Sequence, residues 1–391
     1  GQSAEDRIRE IAENAEKRLG KPGFADKFYD YMSKGYYSLA TPIWANYGKT
    51  RGLPISCFGS YVADDMSRIL YTHAEVGMMT KYGGGTSAYF GDLRPRGAEI
   101  KGNGHSSGSV HFMELFDGLI NIVSQGTVRR GHCAPYLPVE HGDIEEFLNI
   151  GKEGHPIQES TYAVTVGDEW LKAMVDGDQE KRKIWAKIIQ RRTEIGYPYI
   201  LFSDTVNNNT VDVYKDKGLR IHGSNLCSEI ALPTNDELSF VCCLSSINLR
   251  HYHDWKDTDA VETLTMFLDT VIGEFVERLE SFRDSEDPQK QSAFYFMQRA
   301  HKFAKEHRAL GLGVLGWHSF LQENNIAFES AEASILNNEI FALIKEKAYK
   351  ASEEMAKEYG EPEVLKGYSR RNTTLLAIAP TTSSAFILGQ V

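Results

Sequence analysis

Short apolar runs alternate with longer stretches of helical period, and that alternation limits the fold of this chain more than any other feature. The runs "YYSLATPIWANYG" (36–48), "LPISCFGSYVA" (53–63), "GYPYILFSD" (196–204) and "SFVCCLSSINLR" (239–250) read as strands or extended segments. Between them, 64–85, the stretch "VHFMELFDGLINIVSQ" after Ser109, 143–150 and 167–195 read as helices, as do 256–283, the run on to 307, and 331–359. Residues 3–19 form an amphipathic pattern through Ile8, Ile11, Ala15 and Leu19, with Gly20 as the stop. "ALGLGVLGWHSFL" reads as strand into helix, and "NTTLLAIAPTTSSAFILG" as a strand running into a Thr/Ser-rich turn. Alternation of this kind indicates an α/β fold with strands buried on both faces.

Composition bounds the function. The 391 residues are 41% apolar and 25% charged, enough for a sizeable core. A formal charge of −11 argues against a nucleic-acid or membrane-surface binder, although local basic loops suit phosphorylated small molecules. Five cysteines (57, 133, 227, 242 and 243) with no C-x-x-C exclude a disulfide scaffold and a zinc ribbon. The first twenty residues are polar and helical in period, unlike a signal peptide, and no apolar run approaches the roughly 18 residues of a membrane span. The expectation is a cytoplasmic protein.

The stretch "SNLCSEIALP" (224–233) holds a cysteine between an amide and a carboxylate. Read as extended chain, it places Asn225, Cys227 and Glu229 on one face. A nucleophilic cysteine needs a histidine, a cation or a helix N-terminus to lower its pKa. Glu229 acts the other way, because a nearby negative charge disfavours the thiolate. A neutral S–H beside a base suits hydrogen-atom chemistry; a small buried hydrophobe is the alternative reading.

Other features stay open on the residues alone. Gly311, Gly313 and Gly316 match G-x-G-x-x-G, yet helical sequence precedes them, so tight strand or turn glycines compete with a dinucleotide site. Pro380, Thr381, Thr382, Ser383 and Ser384 suit either phosphate holding or a helix cap. Arg94, Arg96, Arg129 and Arg130 lie on glycine-rich loops, fitted for anion recognition or for plain solvation. Asp64 is an N-cap or a ribose ligand, and His132 is structural. Cys57 and Cys242, each in an apolar predicted strand, could meet in the fold as a two-electron dithiol.

In chain order, "SLATPIWA", "SCF" with Asp64 seven residues after its cysteine, "SQGTVRRG", "SNLCSEIALPT", "CCLSSINL", "RALGLGVLG" and "LLAIAPTTSS" resemble the catalytic subunit of ribonucleotide reductase. Class I, paired with a radical-generating small subunit, is the nearest type. The resemblance implies a ten-stranded α/β barrel of two five-stranded halves, with a central finger loop carrying the radical cysteine. It implies an N-terminal helical segment over 1–35 and the catalytic barrel over 36–391. Carried over, Cys227 is the thiyl radical that takes the ribose 3′ hydrogen, Glu229 takes the 3′-hydroxyl proton, and Asn225 bonds the sugar. Cys57 and Cys242 are the reducing pair that ends as a disulfide, with Cys243 an extra neighbour. Thr41, Ser56, Gly85, Ser224 and Pro380 to Ser384 match substrate-binding positions. Asp64, Arg94 and Ile100 match the specificity-effector site at a dimer interface, and Gln125 and Arg129 match the loop relaying effector identity.

The same resemblance implies no cofactor in this chain. It implies a metal-containing small subunit as radical source, a nucleoside triphosphate effector, a thioredoxin or glutaredoxin-type reductant, and a homodimer. The amino terminus leaves no room for a nucleotide-binding cone, so dATP inhibition through one is expected to be missing. The chain stops at "ILGQV", before the paired tyrosines and cysteine-bearing tail of class I members. Three alternatives remain: a cobalamin-dependent class II enzyme, a non-catalytic nucleotide-binding homologue, and a NAD-dependent dehydrogenase resting on Gly311 to Gly316.

Overall fold

The computed structural model describes residues 1–390. The chain divides into two compact units, one of 1–56, 242–281 and 303–391, the other of 57–241 and 282–302.

The second unit is built on five parallel strands, Cys57–Tyr61, Gly85–Tyr89, Cys133–Pro138, Ala163–Val166 and Tyr199–Phe202, each paired with the next. Parallel strands require crossovers, and here helices Met66–Lys81, Ser109–Ile122 and Gln179–Ile195 supply most of that connection. The run Ala163–Val166 is buried at all four positions, as a strand covered on both faces must be. Val76, Phe90, Val110, Phe116, Leu137, Phe147, Val164 and Ile188 form one continuous apolar cluster.

Within this core sits a charged pair that the strand and helix patterns did not reveal. Glu75, fully buried on Met66–Lys81, accepts from Ser60 Oγ at 2.6 Å and from Ser239 Oγ at 2.7 Å. Arg299 grips the same carboxylate through Nε and Nη2, each at 2.9 Å, and also donates to Thr72 Oγ1 and the Tyr61 carbonyl. Every oxygen of the buried carboxylate is thus compensated, the condition under which such a charge is tolerated.

The first unit opens with helix Ala4–Leu19, whose Ser3 and Asp6 form a capping box and whose Gly20 closes it in the left-handed conformation. Its buried face is rotated from the expected one: Arg7 is buried and Ile8 only partly so. The Arg7 guanidinium donates to the carbonyls of Ile43, Trp44 and Tyr47, the last turn of helix Thr41–Asn46. That helix replaces part of the extended segment expected over 36–48, because Pro42 in its first turn suits a helix start. Only Tyr37–Leu39 is strand, antiparallel to the Phe240–Asn248 strand. The strand Leu310–Leu315 pairs in parallel with Cys243–Asn248.

Several element boundaries differ from the periodicity reading. The 167–195 helix is two, Asp168–Val175 and Gln179–Ile195, interrupted at Gly177, which has a φ of +117°. The 91–109 loop contains a small hairpin, Glu99–Ile100 against Gly104–His105. The expected strand over 372–379 is reduced to one bridge, Leu376 to Leu312, and helix Thr382–Leu388 stands where the Thr/Ser-rich turn was expected. Of the two five-stranded halves implied by the resemblance, one is complete in the second unit. The first unit carries three strands and that bridge among the described residues. No helix among the described residues is long and apolar enough to cross a membrane.

The first unit holds its own ionic knot. Asp269 accepts from Arg308 Nε at 2.8 Å and Nη2 at 3.1 Å, from Arg371 Nε at 2.8 Å and from Asn372 Nδ2 at 2.9 Å. Burial alone would raise its pKa, but the two guanidiniums outweigh that and hold it at about 2. Asp269→Asn is therefore expected to cost about 3–5 kcal/mol of stability, read by denaturant unfolding, because two buried cations lose their counter-charge. A depressed carboxylate pKa stabilises fully above the unfolded value near 3.8. Acid titration of the wild type should show that contribution lost as pH falls from about 4 towards 2, and absent in the variant.

Candidate active site

The segment around Cys227 is a tight turn, and the extended chain expected there is corrected. Asn225 Oδ1 accepts the backbone N–H groups of Glu229 at 3.0 Å and Ile230 at 3.2 Å, and Ser228 N–H bonds the Asn225 carbonyl. Ser228 adopts a φ of +73°, which an alternating strand does not allow. Asn is a residue whose side chain competes with the ladder by bonding nearby backbone, and here it folds the chain back. Ser224 clasps the base: its Oγ donates to the Ile230 carbonyl at 2.6 Å and receives Ile230 N–H at 3.1 Å. Asn225 and Glu229 therefore flank Cys227 through a turn, not through strand alternation.

Of the five cysteines, all free, Cys227 alone is exposed, at the tip of this loop; the other four are buried. Cys57 opens the first parallel strand, opposite Gly85 in register. Asn225 Nδ2 donates to the Cys57 sulfur at 3.3 Å, so one amide joins the loop to this second thiol. Burial, then the Glu229 charge, pushes the Cys57 thiol well up. The same two causes raise Cys227, against an opposing pull from Arg129. Burial also raises Glu229, and its Oε2 is buried with no hydrogen-bond partner among the described residues. Cys227 and Glu229 on the loop and Cys57 beside it are thus all pushed towards their protonated forms.

The basic loop contributes Arg129. Gln125 and Arg129 bridge across a tight turn, with Gln125 N–H bonding the Arg129 carbonyl at 3.0 Å and Val128 N–H the Gln125 carbonyl at 2.9 Å. The Arg129 charge acts on both Cys57 and Cys227. Asp64 is not the helix cap: Asp65 accepts from Ser67 and Arg68 N–H and does that work. Asp64 is left to pair with Arg94 Nε at 2.8 Å, while Arg94 also reaches the Glu99 carbonyl beside Ile100. Those three effector candidates thus lie together in the second unit.

In the first unit, Cys242 is buried in the Phe240–Asn248 strand, next to Cys243, whose thiol is directed at the Leu268 carbonyl. Thr41 Oγ1 and Ser383 Oγ lie 2.8 Å apart. Thr381, with φ +60°, caps the helix holding Thr382, Ser383 and Ser384, and Pro380 precedes it exposed. Ser384 is buried and bonds the Leu39 carbonyl. Ser56 is also buried, its hydroxyl without a partner among the described residues. Gly311 and Gly313 lie inside the Leu310–Leu315 strand and not in a phosphate-binding turn, which removes the basis of the dinucleotide reading.

Three residues escaped the sequence reading. Glu75 had a signal, since it falls between Thr72 and Val76 on the buried face of its helix. Tyr136 donates its hydroxyl to the Asn225 carbonyl at 2.6 Å, and Tyr199 packs against the buried cluster of Ala134, Tyr136, Ala163 and Leu201. Burial first, then Tyr197, Cys227 and Glu229, pushes the Tyr199 phenol to about 12. Nothing in the local pattern marks these tyrosines apart from other strand aromatics.

Exposure and charge together define an alkylation test. With the folded protein, iodoacetamide should modify Cys227 first, read by peptide mass spectrometry, with a pH–rate profile displaced above that of an ordinary thiol. Glu229→Gln should shift that profile to lower pH, because a charge that disfavours the thiolate is gone.

Comparison with known proteins identifies the family. The family model described as "Ribonucleotide reductase, barrel domain" matches residues 55–181 and 179–370, and "Ribonucleotide reductase, all-alpha domain" matches residues 2–52. A putative ribonucleoside-diphosphate reductase large subunit of Frog virus 3 is 36% identical over 389 residues, covering 95% of this chain and 66% of its own length. The ribonucleoside-diphosphate reductase large subunit of Invertebrate iridescent virus 3 is 29% identical over 440 residues, covering 93% and 66%. Among solved structures, the class Id ribonucleotide reductase alpha subunit of Actinobacillus ureae superposes with a TM-score of 0.92 at 57% identity, covering all of this chain and 71% of that one. The chain spans just under two thirds of the length of these curated relatives. On the barrel-domain match and the viral relative, the chain belongs to the ribonucleotide reductase large-subunit family.

Proposed function

We propose that this chain supplies the catalytic machinery of a ribonucleoside-diphosphate reductase of class I type, converting ribonucleotides to 2′-deoxyribonucleotides. The observation that carries the reading is the Asn225–Cys227–Glu229 turn, with Asn225 bonded to the sulfur of Cys57. In this mechanism the Cys227 thiyl radical removes the ribose 3′ hydrogen, and Glu229 accepts the 3′-hydroxyl proton. Burial of Glu229 tunes it for that task, since a base with a raised pKa can also return the proton. Asn225 donates to the sugar. Water leaves from the 2′ carbon while Cys57 and Cys242 give up two electrons and two protons, which forms a disulfide. The 3′ hydrogen then returns from Cys227, and the radical is regenerated.

A separate metal-containing small subunit supplies the radical when bound, and the likeness to a class Id alpha subunit supports that choice. Thr41, Ser56, Gly85, Ser224 and Pro380 to Ser384 hold the substrate, with the Thr381–Ser384 helix start taking its phosphates. Asp64, Arg94 and Ile100 receive a nucleoside triphosphate effector, and Gln125 with Arg129 passes its identity to the substrate base. The proximity of Arg129 to both thiols supports this placement of the loop. A thioredoxin or glutaredoxin-type protein restores the dithiol, the working unit is a homodimer, and the helical segment 1–35 precedes the catalytic region 36–391.

The test is deoxynucleotide formation by the full-length chain with a candidate small subunit and a dithiol, each withheld in turn. Cys227→Ser should abolish turnover. Cys57→Ser and Cys242→Ser should each stop deoxynucleotide formation from the first turnover while leaving nucleotide binding intact. Turnover supported by adenosylcobalamin without the small subunit would replace the class I reading with class II.

A further inference from the structure

The loop 224–230 makes no strand ladder, so something other than backbone pairing has to set its position. Two hydroxyls from neighbouring parallel strands do this. Ser87, on Gly85–Tyr89, donates to the Ser224 carbonyl at 2.7 Å, and Tyr136, on Cys133–Pro138, donates to the Asn225 carbonyl at 2.6 Å. Both carbonyls belong to fully buried residues, and Tyr136 is itself 1% exposed. The Tyr136 ring lies against Gly223, where an added Cβ would stand 3.1 Å from the base of the ring. Consecutive carbonyls at the base of the loop are thus clamped by two side chains of the sheet.

We propose that Tyr136, with Ser87, is a positioning residue of the reaction: its hydroxyl fixes Asn225, and through Asn225 sets Cys227, Glu229 and the Cys57 sulfur. The inference rests on the reductase reading for its catalytic consequence. Asn225 is the shared element, since its Oδ1 bends the loop while its Nδ2 touches Cys57. A shift of its backbone moves the tip two residues away and the contact to the second thiol together. Misplacement by about 1 Å at a reacting centre costs on the order of 100-fold in rate.

The experiment compares Tyr136→Phe and Ser87→Ala with wild type in the full-length chain, with its small subunit and dithiol. Tyr136→Phe should lower kcat by about 10- to 100-fold with KM within about twofold, and Ser87→Ala should act in the same direction. Hydrogen exchange in the peptide spanning 224–230 should quicken about tenfold, with the 57–61 strand unchanged. Ser87→Ala keeps the test alive if the Phe variant does not fold. Folded variants with wild-type kcat and wild-type loop exchange would overturn the proposal. So would a loss of kcat accompanied by a matching rise in KM and exchange spread over the whole unit, the signature of a structural role. A wild-type chain without reductase activity would sink the function reading instead, while the exchange comparison would still decide whether the clamp exists.

Discussion

One buried amide organises the candidate site. Asn225 accepts two backbone N–H groups on its oxygen and donates to the Cys57 sulfur from its nitrogen. The first set makes a turn of what would otherwise be strand; the second ties that turn to the sheet. Because both atoms of the amide are committed, its orientation has no freedom, and the cysteine and carboxylate it carries inherit that order. Hydrogen bonds of this kind are modest singly but costly to leave unmade in a buried site. The placement of Cys227 and Glu229 and the stability of the loop therefore depend on the same group.

Both compact units use a second device, a carboxylate enclosed by arginine. Glu75 with Arg299, and Asp269 with Arg308 and Arg371, sit where an apolar side chain could have served. Such pairs add little net stability over a well-packed hydrophobic substitute. What they add is a definite arrangement. Glu75 joins helix Met66–Lys81 to Ser60 on the strand that begins at Cys57, so helix and strand cannot slide past one another without losing several bonds. The N-terminal end of that helix lies beside Asp64, and its position is thereby tied to the strand of the second thiol.

Much of this was legible in the sequence. Helical periodicity located the long helices, because an apolar stripe at 3.6 residues is imposed by burial itself. The electrostatic argument about Cys227 has a counterpart in the structure: partial desolvation and the Glu229 charge push its thiol upward. The errors have physical causes. "IALP" suggested strand, but the Asn225 side chain overrode propensity with local hydrogen bonds. Ile8 seemed a core position, whereas Arg7 has three carbonyls to satisfy and is drawn inward. Asp64 and Asp65 were indistinguishable as caps until the helix start was seen. Tyr136 and Ser87 were invisible because their partners are carbonyls more than eighty residues away.

The paired glycines that first suggested a nucleotide cradle have another meaning. A Cβ at Gly311 would lie 2.3 Å from Leu244, and one at Gly313 would lie 2.3 Å from the Ala377 carbonyl. The missing side chain at Gly313 lets the 374–377 segment run close enough for backbone bonding with Leu310 and Leu312, and the one at Gly311 leaves room for Leu244. Gly313 is closed to a side chain unless the segment leading to Pro380 is rerouted, whereas a side chain at Gly311 meets the Leu244 side chain first. Divergence in this part of the chain must therefore pass around them, however freely the neighbouring apolar residues exchange.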